Sequence, residues 1–227
     1  MKWMRSSTEA VPWLEDGEPF PDPRSARWDG LVAAGGDLSI ERLKDAYNHG
    51  MFPWTVDPVT WWSPDPRAIF DLDDIHVPRR LASAVARPAF EVTFDAAFDQ
   101  VIEACAEAPR WGDETWITAE FIGAYQEFHR AGFAHSIELW RDGKLAAGLY
   151  GVAIGGFFAG ESMFHEVPNA SKIALVLLQQ HLRRQGFVLF DTQMFTPVTE
   201  MMGAKMIERD EYLERLGQAL HVDVRFK

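Results

Sequence analysis

The chain has 227 residues, 47% hydrophobic and 25% charged, with a net charge of −12. That is the make-up of a soluble globular protein large enough to bury a core without covalent staples. The acidic balance argues against indiscriminate nucleic-acid binding but leaves room for a local basic patch. A single cysteine, Cys105, rules out an intramolecular disulfide framework and fits a reducing compartment. Lys2, Arg5, Glu9 and Glu15 interrupt any signal-type apolar run, and no stretch reaches the roughly 18 apolar residues of a membrane span. A cytoplasmic protein without a membrane partner is expected.

Residues 1–30 carry Pro12, Pro19, Pro21 and Pro23 and read as extended, loop-like chain. Gly35-Gly36-Asp37 makes a turn. Ser39 then caps a helix over about 40–49, with Leu43, Ala46 and Tyr47 on its apolar face and Gly50 at its end. The next stretch, MFPWTVDPVTWWSPDPR (51–67), holds four prolines and three tryptophans. Such a density excludes a regular helix or a central strand. It suits either a packed loop clamping one domain to another or a rigid aromatic wall for a ligand. Ile69 to Val77 reads as a strand, Pro78-Arg79-Arg80 opens a short helix, and Pro88 is a candidate domain junction.

Beyond it, Phe90–Phe94 alternates as a strand, and Asp95 is placed to cap a helix with Phe98, Val101, Ile102 and Cys105 on one face. Thr118 caps a second helix whose face is Phe121, Ile122, Tyr125 and Phe128, and Gly132 stops it. His135–Trp140, the Asp142-Gly143 turn, Leu145–Ile154, the Gly155-Gly156 turn and Phe157–Glu161 form an antiparallel meander. Asn169 or Ser171 caps a helix to about Gln185, Gly186 follows as its C′ residue, and Phe187–Thr192 is a buried strand. Asp210 caps a last helix, and His221–Phe226 is a closing strand. Two helices, a meander, then strand-helix-strand is the order of the GNAT-like acyltransferase fold, which does not by itself name a reaction.

The chemistry-bearing residues gather at strand ends. Asp191 and Gln193 lie two apart on a strand and so face one side. A carboxylate at the end of a buried strand needs partners. A core Arg or Lys, or a cap for the next loop, would supply them, and a site role stands beside these readings. Glu161-Ser162 ends the neighbouring strand, and Asn169, Ser171 and Lys172 open the helix. Neither carboxylate has a Cys or His pattern around it, so no metal is expected. His165 beside Ser162 lacks the G-x-S-x-G elbow of a nucleophilic serine. Lys172, Arg183 and Arg184, with His181, are basic positions on that helix, and Arg79-Arg80 is a second pair. By spacing they make a solvated face; as phosphate contacts they would give a moderate salt dependence. The loop FHEVPNASK (164–172) has no glycine to admit a coenzyme pyrophosphate closely, which counts against acetyl-CoA.

Taken together, GLVAAGGDLS (30–39), FPW (52–54), WWSPDPRA (61–68), TWIT (115–118), AHSIELW (134–140), GLYGVAIG (148–155), GESMFH (160–165) and NASK (169–172) resemble the leucyl/phenylalanyl-tRNA–protein transferase family. The matches run in order from about residue 20 to residue 217. The resemblance implies an α+β chain: a small N-terminal domain (1–88) packed on a GNAT-like acyltransferase domain (89–227). It implies transfer of Leu or Phe, and less well Met, from aminoacyl-tRNA to proteins with N-terminal Arg or Lys, marking them for the N-degron pathway. No cofactor and no second subunit are expected. The family's D-x-Q element falls on Asp191 and Gln193, and its GES glutamate on Glu161. Its apolar aminoacyl pocket falls on Trp62, Trp116, Leu149 and Met163, beside Ser162, Asn169 and Ser171. Contacts to tRNA would fall to Lys172, Arg183, Arg184, Arg79 and Arg80. The chain departs from the pattern after the D-x-Q strand. Where the family commonly has His-Leu-x-Ser-Leu-Gly-Ala, it reads PVTEMMGAK (197–205), which removes the His and Ser contacts and adds Glu200. Two rivals stay open: a GNAT-type acetyl-CoA acyltransferase and a non-catalytic binder of tRNA or N-degrons.

Overall fold

The structure, a computed structural model, describes residues 10–87, 89–108 and 115–227, so Pro88 lies outside the described residues. A small sheet holds β1 (Trp13–Leu14), β2 (Leu31–Gly35), β3 (Phe52–Val56) and β4 (Val59–Trp62) in the order β1-β2-β4-β3. β4 pairs antiparallel with both β2 and β3. The expectation that 51–67 holds no central strand is therefore wrong. Pro53 sits on the edge strand β3, Pro58 in the turn, and Pro64 and Pro66 beyond Trp62, so Val59–Trp62 keeps every amide donor its ladder needs. Helix α1 (Ile40–Asn48) starts where Ser39 Oγ accepts from Arg42 N at 3.3 Å and ends before Gly50 at φ +74°, as its spacing predicts.

A seven-stranded sheet runs β11-β5-β10-β9-β8-β7-β6, from β5 (Arg67–Phe70), β6 (Glu91–Phe94), β7 (Ala134–Arg141), β8 (Lys144–Ile154), β9 (Phe157–His165), β10 (Leu189–Gln193) and β11 (Lys205–Ile207). Its neighbours are antiparallel except β9 and β10, which run parallel across α5 (Ala170–Gln185). The remaining helices are α2 (Ala82–Ala86), α3 (Phe98–Glu107), α4 (Ala119–Arg130), α6 (Pro197–Met201) and α7 (Arg209–Ala219). One face of the large sheet buries Tyr150, Val152 and Phe157 against α3, α4 and the small sheet. The other buries Ile137, Leu149 and Phe158 against α2 and α5. The fold is thus α+β. The two sheets part between Trp62 and Arg67, because β5 belongs to the large sheet although it precedes the division expected at 88.

Several local expectations give way to the fold. The strand after Pro66 stops at Phe70, and 71–77 turn away. Asp95 does not cap α3. It takes φ +49° and accepts from Ser136 N (2.8 Å) and His135 Nδ1 (2.9 Å), tying β6 to β7. Asn169 stands at the start of α5 in the left-handed region, but neither it nor Ser171 caps with its side chain. Asp210 lies inside the first turn of α7 and accepts from Arg24; the cap position is Glu208. His221–Phe226 joins no ladder. The chain is held there by buried Phe226, whose carbonyl accepts from His181 Nε2 at 2.6 Å. Two elements are not expected from the sequence: residues 197–201 form α6, closed by a Thr196–Thr199 capping box, and Lys205–Ile207 adds the edge strand β11.

Candidate active site

Parallel β9 and β10 pair through Leu189–Phe157, Phe190–Phe158 and Asp191–Ala159 and then separate. A bulge on each strand opens the cleft. On β9, Tyr150 faces Ser162 and Gly151 faces Gly160, which leaves Glu161 as the extra residue. On β10, Asp191 faces Ile69 and Gln193 faces Ala68, which leaves Thr192 extra. A bulge breaks the two-residue alternation and re-aims side chains. Gly151 permits the first one, since a Cβ there would lie 2.2 Å from the Ala159 carbonyl oxygen. Gln193 takes φ +61°, and its side-chain Nε2 donates to Glu161 Oε1 at 2.8 Å, bridging the gap.

Asp191 lies behind this bridge, with no exposed surface. Its Oδ1 accepts from Arg67 Nε at 3.0 Å and Gln193 N at 2.7 Å. Its Oδ2 accepts from Arg67 Nη2 at 2.7 Å and the Tyr212 hydroxyl at 2.9 Å. Four donors use the acceptor capacity of a carboxylate, so Asp191 has no lone pair to offer a substrate. Arg67 also donates from Nη1 to Gly50 O at 3.1 Å and lies between the rings of Phe52 and Tyr212. Burial opposes its charge, but Asp191 outweighs that and holds the guanidinium ionised. The carboxylate's need for a partner was legible in the sequence, and the core cation that meets it is Arg67. Its sequence signal is a charged residue inside the apolar run RAIF.

Glu161 is partly buried in the cavity wall. Its Oε1 also accepts from the Tyr47 hydroxyl at 2.7 Å, and Tyr47 and Tyr125 share a hydrogen bond at 2.5 Å. Both tyrosines read in the sequence as plain members of apolar helix faces; the phenol is the only hint of more. Burial raises the Glu161 pKa most, Asp191 adds to it, and the hydrogen bonds of Tyr47 and Gln193 and the charge of Arg67 oppose it, leaving a value of about 8. A folded-state pKa above the ordinary 4.5 means that the folded chain keeps a proton the unfolded chain releases. Stability therefore falls as pH rises from about 4.5 to 8. Glu161→Gln removes that slope. Melting curves are expected to match wild type near the lower end of the window and to lie above it beyond the upper end, by up to about 5 kcal/mol, one pKa unit being worth about 1.4 kcal/mol.

Above Glu161 and Gln193 is a cavity of about 270 Å³. Its apolar wall includes Trp116, Leu149, Met163 and Leu175, and Leu149 and Met163 are direct cross-strand partners. Ser162, Thr192, Thr196 and Thr199 supply hydroxyls. Phe52, Pro53 and Trp54 close one side, so the aromatic wall expected from 51–67 is a β-hairpin edge. Trp62 stands behind it, packed on Trp54 at 5.5 Å between ring centres, and does not line the cavity. Asn169 and Ser171 are also outside it. Asn169 is exposed and accepts from Lys172 Nζ at 3.4 Å, while buried Ser171 shares a hydrogen bond with His165 at 3.3 Å. His165 is thus engaged by Ser171.

The basic residues lie away from the cavity. Arg183 and Arg184 are exposed and share a surface recess with Asp73, Asp74 and Val77. Arg79 and Arg80 lie just beyond that loop, ahead of α2, which packs on α5, and Arg80 donates to the Met201 sulfur at 2.6 Å. Among the described residues no cluster of three or more metal-binding side chains occurs, and no helix is long and apolar enough to cross a membrane.

Comparison with known proteins bears on the whole chain. The family model described as leucyl/phenylalanyl-tRNA protein transferase matches residues 69–217, and the model of that family's N-terminal domain matches residues 36–65. The leucyl/phenylalanyl-tRNA–protein transferase of Pseudomonas fluorescens (strain Pf0-1) is 46% identical over 222 residues, 97% of this chain and 95% of that protein. The protein of the same name from Thiobacillus denitrificans is 51% identical over 210 residues, 89% of this chain and 91% of that one. Among solved structures, a GCN5-related N-acetyltransferase from Kribbella flavida aligns with a TM-score of 0.40 and 14% identity, over 72% of this chain and 59% of that one. Both parts of the chain match one family in order, at close to half identity over nearly the full length of its members, and the chain belongs to the leucyl/phenylalanyl-tRNA–protein transferase family.

Proposed function

We propose that the chain moves leucine or phenylalanine, and less well methionine, from aminoacyl-tRNA to the α-amino group of proteins beginning with Arg or Lys, as a cytoplasmic monomer, marking them for N-degron degradation. The observation that carries this reading is an apolar cavity of side-chain size ending on a Gln193–Glu161 bridge. An aminoacyl ester is already activated, so aminolysis requires neither ATP nor a metal. A free α-amino group has a pKa of about 7.7–8.0, so a useful fraction is neutral near pH 7. The donor side chain fits among Trp116, Leu149 and Met163. Gln193 commits its Nε2 to Glu161, which leaves its Oε1 to accept an N–H of the incoming amine. Asp191, held by Arg67 and Tyr212, fixes the Gln193 backbone. Holding the amine and ester together in this way is worth roughly 7–11 kcal/mol in ideal cases. Arg183, Arg184, Arg79, Arg80 and Lys172 are the proposed tRNA contacts.

The test is transfer of labelled leucine from charged tRNA to reporters that start with Arg, Lys or Ala. Label on Arg and Lys but not Ala is expected. Label on none, with tRNA still bound, would leave the chain a binder. A change in the pocket has its own readout. Met163→Ala enlarges the cavity and is expected to shift the Phe/Leu transfer ratio toward Phe by about 10-fold, the effect of a methylene or two in an apolar pocket. An unchanged ratio would remove Met163 from the donor pocket.

A further inference from the structure

Aminolysis leaves protons to place. The amine must lose one as its bond to the carbonyl carbon forms, and the ribose oxygen must gain one as its bond to that carbon breaks. If the cavity holds the reaction read above, few groups can serve. Asp191 is closed by four donors. Gln193 has no acidic proton. The buried hydroxyls of Tyr47, Tyr125 and Tyr212 are pushed well above an ordinary phenol by burial first. Tyr47 and Tyr212 already donate to Glu161 and Asp191.

Glu161 differs. Its Oε1 accepts from Tyr47 and Gln193, whereas among the described residues its Oε2 makes no hydrogen bond, and Glu161 lines the cavity. We propose that Oε2 of Glu161 delivers the proton taken by the leaving ribose oxygen, and that Tyr47, backed by Tyr125, is the positioning residue that reserves this oxygen for the task. The step balances. The amine nitrogen bonds to the carbonyl carbon. The carbon–oxygen bond breaks with its electron pair on the ribose oxygen, which takes the Oε2 proton. The surplus proton of the ammonium adduct passes to Oε2 and restores the acid.

The groups facing Glu161 are Tyr47 from α1, Tyr125 from α4, Asp191 and Gln193 from β10 and Arg67 from β5. Their balance with burial leaves its pKa at about 8. That is close to the acceptor amine's, about 7.7–8.0, and such matching suits a group that must both give and take a proton.

Glu161→Gln keeps an acceptor for Tyr47 and Gln193 but cannot release a proton. The experiment is single-turnover leucine transfer to an Arg-start peptide by the full chain, from about pH 6 to 10. Wild type, Glu161→Gln and Tyr47→Phe are each given normal charged tRNA and charged tRNA ending in 2′-fluoro-2′-deoxyadenosine, whose 3′ oxygen leaves more readily. Wild type is expected to slow above about pH 8 as Glu161 ionises. Glu161→Gln is expected to be about 10²–10⁴-fold slower near pH 7, without the falling limb, and to recover at least about 10-fold relative to wild type on the fluoro donor. Tyr47→Phe removes a hydrogen bond that favours the carboxylate, so its falling limb moves to higher pH, which a merely structural tyrosine would not cause. Aminoacyl-tRNA affinity checks that each variant is folded. Wild-type transfer with Glu161→Gln unimpaired, or equally impaired on both donors, overturns the proposal alone. No transfer by wild type overturns the assigned reaction and the proposal with it.

Discussion

Asp191→Ala is expected to lower stability by about 3–5 kcal/mol, the cost of removing one partner from a buried ion pair, and to abolish measurable transfer. The Arg67 guanidinium would remain among Phe52, Tyr212 and Gly50 with no anion beside it and 1% of its side chain exposed. Gln193 would lose the acceptor that holds its backbone at φ +61°. Fold and positioning are separable here. In Asp191→Leu combined with Arg67→Met the buried charges vanish together, and such apolar replacements are often neutral or stabilising. The double variant is expected to regain most of the lost stability while transfer stays absent. Denaturant unfolding and single-turnover transfer read the two effects. Asp191→Ala with wild-type stability, or a double variant with wild-type transfer, would contradict this account of the cage.

Gln193→Ala is expected to slow transfer about 10²-fold, the scale of a lost positioning contact, with aminoacyl-tRNA affinity unchanged. The amide joins the two strand ends through Glu161 and offers Oε1 to the amine, and alanine does neither. Stability is expected to stay within about 1 kcal/mol, because alanine at this positive φ carries strain similar to that of glutamine. Transfer at the wild-type rate would move the amine's contact to another residue, with the hydroxyls of Ser162, Thr192, Thr196 and Thr199 the alternatives in the cavity wall.

Much of the fold was legible because its signals are local. Asp142-Gly143 takes the two positive φ values of the hairpin turn it predicts, Thr118 caps α4, and Gly186 ends α5 at φ +90°. What failed depends on distant partners. β11 exists because β5 offers an edge to it, and His221–Phe226 stays out of the sheet although it alternates like a strand. Asp95 has a cap's chemistry, but β7 takes its carboxylate. At the site, Glu161, Ser162, Gln193, Trp116, Leu149 and Met163 line one cavity. The two-residue spacing of Asp191 and Gln193 misleads, because a bulge at Thr192 sends one side chain into the protein and the other across the cleft. Nothing in a linear reading marks a bulge whose cause is a strand paired on both sides.

The central claim is that this cavity receives the aminoacyl end of the donor with its ester beside Gln193 and Glu161. The most direct measurement is a structure of the chain with phenylalanyl-adenosine in which an amide replaces the ester, so that no transfer occurs. The account predicts the phenyl ring among Trp116, Leu149 and Met163 and the linking carbonyl facing Gln193. An analogue seated instead at the start of α5 beside Asn169, or in the recess of Arg183 and Arg184, would contradict it.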